Sequence, residues 1–199
     1  MALLLGCAFP AKFLLAAFCF LLVPLELHSQ GYSAAAVGRF QMIYPILMVV
    51  CVPLFATMAD RLSARSLFVV AGGLVAGLGA LLVPLNASVL LIILALVLLG
   101  LGQSMSIASQ SALVADSAST TGGRSAGVLG LFRLVERSGN AAGPAVAGVL
   151  LSAVGFAPAI AMVGAVTVLG ALAFAASGRG MREARSGATS ASASEGTAV

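Results

Sequence analysis

The chain has 199 residues, of which 61% are hydrophobic and only 8% charged, with a net charge of +4. A soluble domain carries about 25% charged residues, and a surface this poor in charge would not stay dissolved. The composition therefore predicts an integral membrane protein surrounded by lipid. Its basic residues are scattered over loops with no aromatic stacking platform, which excludes a nucleic-acid partner.

Six apolar runs, each near the roughly 20 residues that a bilayer requires, follow in chain order at 10–28, 36–58, 66–85, 88–113, 125–151 and 156–176. Turn chemistry separates them: Ser29-Gln30-Gly31, Asp60 to Ser66, Asn86-Ala87-Ser88, Asp116 to Arg124, and Gly155 to Pro158. The runs lack the short alternating pattern of an outer-membrane barrel. The expected fold is all-α, a polytopic transmembrane helical bundle over residues 1–177 with a disordered cytoplasmic tail at 178–199. The tail is rich in Ser, Ala and Gly and has nothing to bury.

The first run is not a signal peptide by its pattern. Residues 1–10 are already apolar before Lys12, and Leu25-Glu26-Leu27-His28 offers no small-residue cleavage site. Lys12, Cys19 and Glu26 roughly share one face of this helix. The second run opens with Arg39, Gln41 and Tyr44. The third has essentially no polar side chain after its first residue. The fourth aligns Gln103, Ser106 and Gln110, followed by Ser109 and Ser111, and the sixth has only Thr167. Cys7, Cys19 and Cys51 have no ligand-like spacing and read as small buried hydrophobes, so no metal or cofactor is expected.

The fifth run carries Arg133-Leu134-Val135-Glu136-Arg137. Three charges at full membrane depth cost about 8–10 kcal/mol. The apolar residues of the same run return only about 3–6 kcal/mol. The segment should therefore face protein or a wet cavity. Arg133, Arg137, Asn140 and Pro144 form a narrow stripe with Glu136 beside it, and Glu136 can pair with Arg133 three residues earlier. Gly139 and Gly143 lie on a different face and would admit a neighbouring helix closely. Pro144 lacks an amide hydrogen and marks either a hinge or a tight structural crossing. A competing reading makes 125–137 an interfacial helix, with a short span from about Ser138.

Two groups of three spans, each ending in a plain one, suggest two inverted three-helix repeats, since an odd-numbered unit repeated in sequence must insert upside down. Lys12, Arg61, Arg65, Arg124, Arg179, Arg182 and Arg185 fall on one side and Arg39 on the other. Both termini are then cytoplasmic, as in the inner (cell) membrane of a bacterium.

The loop Ala56-Thr57-Met58-Ala59-Asp60-Arg61-Leu62-Ser63-Ala64-Arg65 is similar to the Gly-x-x-x-Asp-Arg-x-Gly-Arg-Arg loop of the major facilitator superfamily. Asp60, Arg61 and Arg65 match it; Ala56, Ser63 and Ala64 depart from it. Gly130, Gly139, Gly143-Pro144 and Gly148 resemble that family's Gly-x8-Gly-x3-Gly-Pro-x2-Gly antiporter motif, with Ala147 at its last Gly. The chain thus resembles one six-helix half of such a transporter. The eroded loop and the absence of Arg from the fourth span point to the C-terminal half.

The resemblance implies a twelve-span assembly, and hence a second six-helix half: a missing N-terminal half or another copy. It places Asp60, Arg61 and Arg65 at a cytoplasmic gate, where an Asp near a helix N-terminus is favourable. It places Arg133, Glu136, Arg137 and Asn140 along a cavity, with Gln103, Ser106, Gln110, Glu26, Gln41 and Tyr44 as further candidates. The expected function is secondary transport of a small solute by alternating access. The arginines suit an anionic ligand, and Glu136 or Glu26 could couple protons. Catalysis is disfavoured, because His28 is the sole His, at a span end, and no Gly-x-Ser-x-Gly elbow occurs. A non-transporting fragment or scaffold that pairs with another half is the alternative.

Overall fold

The structure is a computed structural model that describes residues 2–62, 65–86, 88–119 and 125–195. Ser63 and Ala64 of the second turn, Ala87 of the third, residues 120–124 including Arg124, and 196–199 of the tail lie outside the described residues.

The described residues form six long helices and no strand. Helix α1 joins Ala2–Leu14, a π-helical stretch Leu15–Leu22 and Val23–Ser29. Helix α2 spans Ala34–Arg61, broken at Met42 into Ala34–Gln41 and Ile43–Arg61. Helix α3 is Arg65–Leu82, finished by a 3-10 turn at Val83–Leu85. The remaining three are α4, Val89–Ser119; α5, Ser125–Val154; and α6, Phe156–Glu195.

Local chemistry sets several of these ends. Gly31 adopts φ 87°, a left-handed turn that most side chains resist. Ser33 then caps α2 by accepting from the Ala36 amide. Gly155 at φ 83° is the single residue between α5 and α6. The backbone of α6 runs on as helix to Glu195. Ala, Met, Arg and Glu at 181–185 favour helix. Extending a helix costs far less than nucleating one.

Five stretches are long and apolar enough to cross a membrane: Ala8–Ser29, Ala34–Arg61, Arg65–Leu85, Val89–Val114 and Phe156–Ser177. Helix α5 is comparable in length but holds the charged cluster in its first half. It is one continuous helix through Pro144.

The packing order carries a hidden symmetry. Helix α1 packs on α5 and α6; α4 packs on α2 and α3; and α3 and α6 pack on each other. Exchanging α1 with α4, α2 with α5 and α3 with α6 maps this set onto itself. Two three-helix units with plain third members are therefore visible as packing partners, not only as a pattern of polarity. The apolar core draws Phe13, Leu14, Phe18 and Leu22 from α1 and Ile92, Leu96 and Leu99 from α4. Ala76 and Ala80 of α3, Ala147 of α5, and Ile160 and Val163 of α6 close around them.

Candidate functional site

The densest charge in the bundle lies where α1 crosses α5. Close approach makes the crossing possible. A methyl group added at Gly139 would stand 2.8 Å from the Phe9 carbonyl oxygen, and one at Gly143 2.9 Å from that of Phe13. No side chain fits between these backbones. Of the other glycines in the Gly-rich motif, Gly130 faces open space and Gly148 meets only Leu21, at an ordinary 3.8 Å. The packing role thus belongs to the central pair.

Beside this crossing, Glu136 accepts from Arg133 Nη1 at 2.8 Å through one carboxylate oxygen. Its other oxygen lies 3.6 Å from Lys12 Nζ on α1. Lys12 and Glu136 are 8% and 5% exposed. The Arg133 side chain remains 56% exposed, its guanidinium 6.0 Å from the Phe132 ring centre. Arg137 is exposed on the same flank of the helix. Asn140, one turn beyond Glu136, has its side-chain oxygen buried with no hydrogen-bond partner. The carboxylate therefore bridges two cations, while a third cation stands within one turn of it.

Lys12, one of the cations that the sequence puts on the cytoplasmic side, has a second role in the structure. It lies within α1 as the buried counter-ion of Glu136. Burying either charge alone would cost several kcal/mol, and pairing offsets much of this. The available signal was electroneutrality: Glu136 is the only acid in the fifth run and Lys12 the only cation inside the first.

The other polar candidates are mostly spent on the bundle itself. Gln103 donates to the Ala11 carbonyl at 2.8 Å, next to Lys12, and so ties α4 to α1. Ser106 donates to the Val69 carbonyl of α3 at 3.3 Å. Thr167 of α6, absent from the candidates, donates to the Pro10 carbonyl at 3.2 Å. Gln110 is buried on α4, and the nearby Ser109 hydroxyl is buried without a partner. Gln41 donates to the Cys19 carbonyl at 2.6 Å, while Tyr44 packs against the apolar core.

Glu26 stands apart from the cluster, at the exit of α1. Its carboxylate accepts from Gln30 at 2.8 Å, and its carbonyl accepts from Ser29. Asp60 lies in the last turn of α2, not at a helix N-terminus. The negative end of that helix is unfavourable to it. Arg65 Nε compensates at 2.8 Å across the turn, while Arg61 is exposed. An open apolar cleft of about 490 Å³ between α2 and α4 is lined by Met48, Val52, Pro53 and Ile107 among others, and shares no residue with the charged cluster. Among the described residues no group of His, Cys, Asp and Glu is placed to hold a metal ion.

The model of the Major Facilitator Superfamily matches residues 4–196. No curated protein matches the chain significantly. The chain belongs to the major facilitator superfamily, and is an integral membrane transporter of that type.

Proposed function

We propose that this major facilitator chain forms one six-helix wall of a secondary transporter for a small anionic solute, moved by alternating access between two such walls. One observation carries the reading: the α1–α5 cluster has three cations, Lys12, Arg133 and Arg137, against the single acid Glu136, and both guanidiniums open to one flank. Against hydrocarbon each arginine would cost about 2.5–3.5 kcal/mol. Facing a wet cavity they avoid that cost and present planar donor forks suited to carboxylate or phosphate. Glu136 occupies Arg133 as such an anion would. A solute competing for that guanidinium, with a proton taken up by Glu136, would couple the two fluxes.

A second six-helix unit, an N-terminal-type half or another copy of this chain, supplies the facing wall. The arginines near the 62–65 turn and at 179–185 favour cytoplasmic termini in a bacterial inner membrane.

The test is uptake by proteoliposomes containing the purified chain, with inorganic phosphate and succinate as anionic probes and glycerol as the neutral one. Saturable anion flux should fall at least about tenfold in Arg133→Leu and Arg137→Leu. Glycerol flux that survives both substitutions would remove the anion assignment. Anion uptake that ignores a pH gradient and is unchanged by Glu136→Gln would remove proton coupling. A strictly monomeric chain with no flux would favour the non-transporting, partner-binding reading.

A further inference from the structure

The π-helical stretch of α1 has a cause that can be traced residue by residue. Pro24 lies inside the helix and has no backbone N–H to give. In an α-helical register the carbonyl left short would be four residues back, at Phe20. The Phe20 side chain is 61% exposed on the outside of the bundle, where hydrocarbon offers no substitute donor. The Val23 amide donates to Phe18, five residues back, so the donor that Pro24 lacks is the one owed to Cys19. Gln41 on α2 supplies it, with Nε2 2.6 Å from the Cys19 oxygen. Gln41 is the last residue before the break at Met42, which fixes its reach.

We propose that α1 has two hydrogen-bonded registers about Pro24, and that Gln41 selects the π register and so sets the rotation of the 23–29 end of α1 relative to the Lys12 end. In the other register the Val23 amide returns to Cys19, the Gln41 amide is released, and Phe20 is left short. Passing between them shifts the two ends of α1 by one residue relative to each other, a rotation of about 100°. The Lys12 end is held on α5 by the Gly139 crossing, so the end at 23–29, with Glu26, turns. A helix with two discrete arrangements is the kind of element that a switching protein needs. The register assignment stands on α1 and α2 alone. Its use in alternating access rests on the transport reading above, so the test reads the register without measuring flux.

The test uses the full chain in lipid nanodiscs, with Cys7 and Cys51 replaced by Ala so that Cys19 is the sole thiol. Gln41→Glu keeps the shape and removes the donor at neutral pH. The maleimide labelling rate of Cys19, buried in the π register, should rise about tenfold, in keeping with one buried acceptor left unpaired. Acid gives the Glu an O–H donor and should return the rate to that of the parent at the same pH. Pro24→Ala restores a backbone amide, and in that background Gln41→Glu should have no effect. An unchanged rate in Gln41→Glu, or an equal rise with Ala at position 24, overturns the proposal. If Gln41→Glu alone does not fold, the Pro24→Ala/Gln41→Glu chain must recover folded protein; failure of that recovery also overturns it.

Discussion

Helices α2 and α5 occupy equivalent places in the bundle, yet they ask for different surroundings. Each lies at the periphery and packs on the first helix of the other three-helix unit, α2 on α4 and α5 on α1. Helix α2 turns Met42, Ile46, Val49, Val50, Leu54 and Met58 outward, and lipid can cover that face at no cost. Helix α5 exposes Arg133 and Arg137, which lipid cannot cover cheaply. Equivalent backbone positions therefore do not imply equivalent solvents. The chemistry on α5 marks the side of the bundle that must meet water, solute or a second unit.

The largest effect that would break this contrast lies at the buried carboxylate. Glu136→Ala leaves Lys12 buried without its counter-ion and should destabilise the bundle by about 3–5 kcal/mol, read as thermal or denaturant unfolding in detergent. The pair Lys12→Met with Glu136→Leu should recover most of that loss, because no uncompensated charge remains. If the double variant is as unstable as the single one, packing and not charge holds α1 on α5. Next in size, Val49→Arg on the exposed apolar side of α2 should cost about 2.5–3.5 kcal/mol of insertion free energy, measured by glycosylation-site or protease-protection mapping. Arg137→Val on α5 should cost nothing in the same assay. Equal costs for the two would place both helices in the same surroundings and end the distinction.

Glycines sharpen the contrast within α5 itself. Gly143→Ala drives a methyl group against the α1 backbone and should cost about 1–3 kcal/mol. Gly130→Ala, on the same helix but in open space, should instead stabilise by about 0.5–1 kcal/mol through the lower entropy of alanine. Melting temperatures of the two variants, measured side by side, give opposite signs if the crossing is as close as described.

Much of this was legible in the chain. The six helices follow from apolar runs bounded by turn residues. The close crossing follows from the spacing of Gly139 and Gly143, and the pairing of Arg133 with Glu136 from helical geometry. The partner of Lys12 was not legible because a lysine near one end of an apolar run suits both a snorkelling interfacial lysine and a buried counter-ion. Only the location of Glu136 distinguishes them. Gln41 and Gln103 look like cavity residues in sequence, but their amides serve backbone carbonyls of α1. That use depends on which helices touch. The π stretch was invisible for a related reason: Leu15–Leu22 is uniformly apolar, and its cause is divided between Pro24 and a residue on another helix.

The smallest predicted effect tests whether α2 is as plain as its exposed apolar face suggests. Its end does join α3 through one acid–base pair, Asp60 with Arg65, at 2.8 Å, a distance equal to that between Glu136 and Arg133. What differs is the medium. The Asp60 side chain is 60% exposed at the end of the helix, where water screens the charges and each side chain gives up entropy to meet the other. Asp60→Asn should therefore change stability by only about 0–1 kcal/mol, and raising the salt to about 1 M should erase even that, since the screening length falls to about 3 Å. The same salt should leave the cost of Glu136→Ala standing, because ions do not enter the α1–α5 contact. A salt-independent loss at Asp60 as large as that at Glu136 would make the turn a buried gate. The polar machinery would then be divided between α2 and α5, not concentrated on α5.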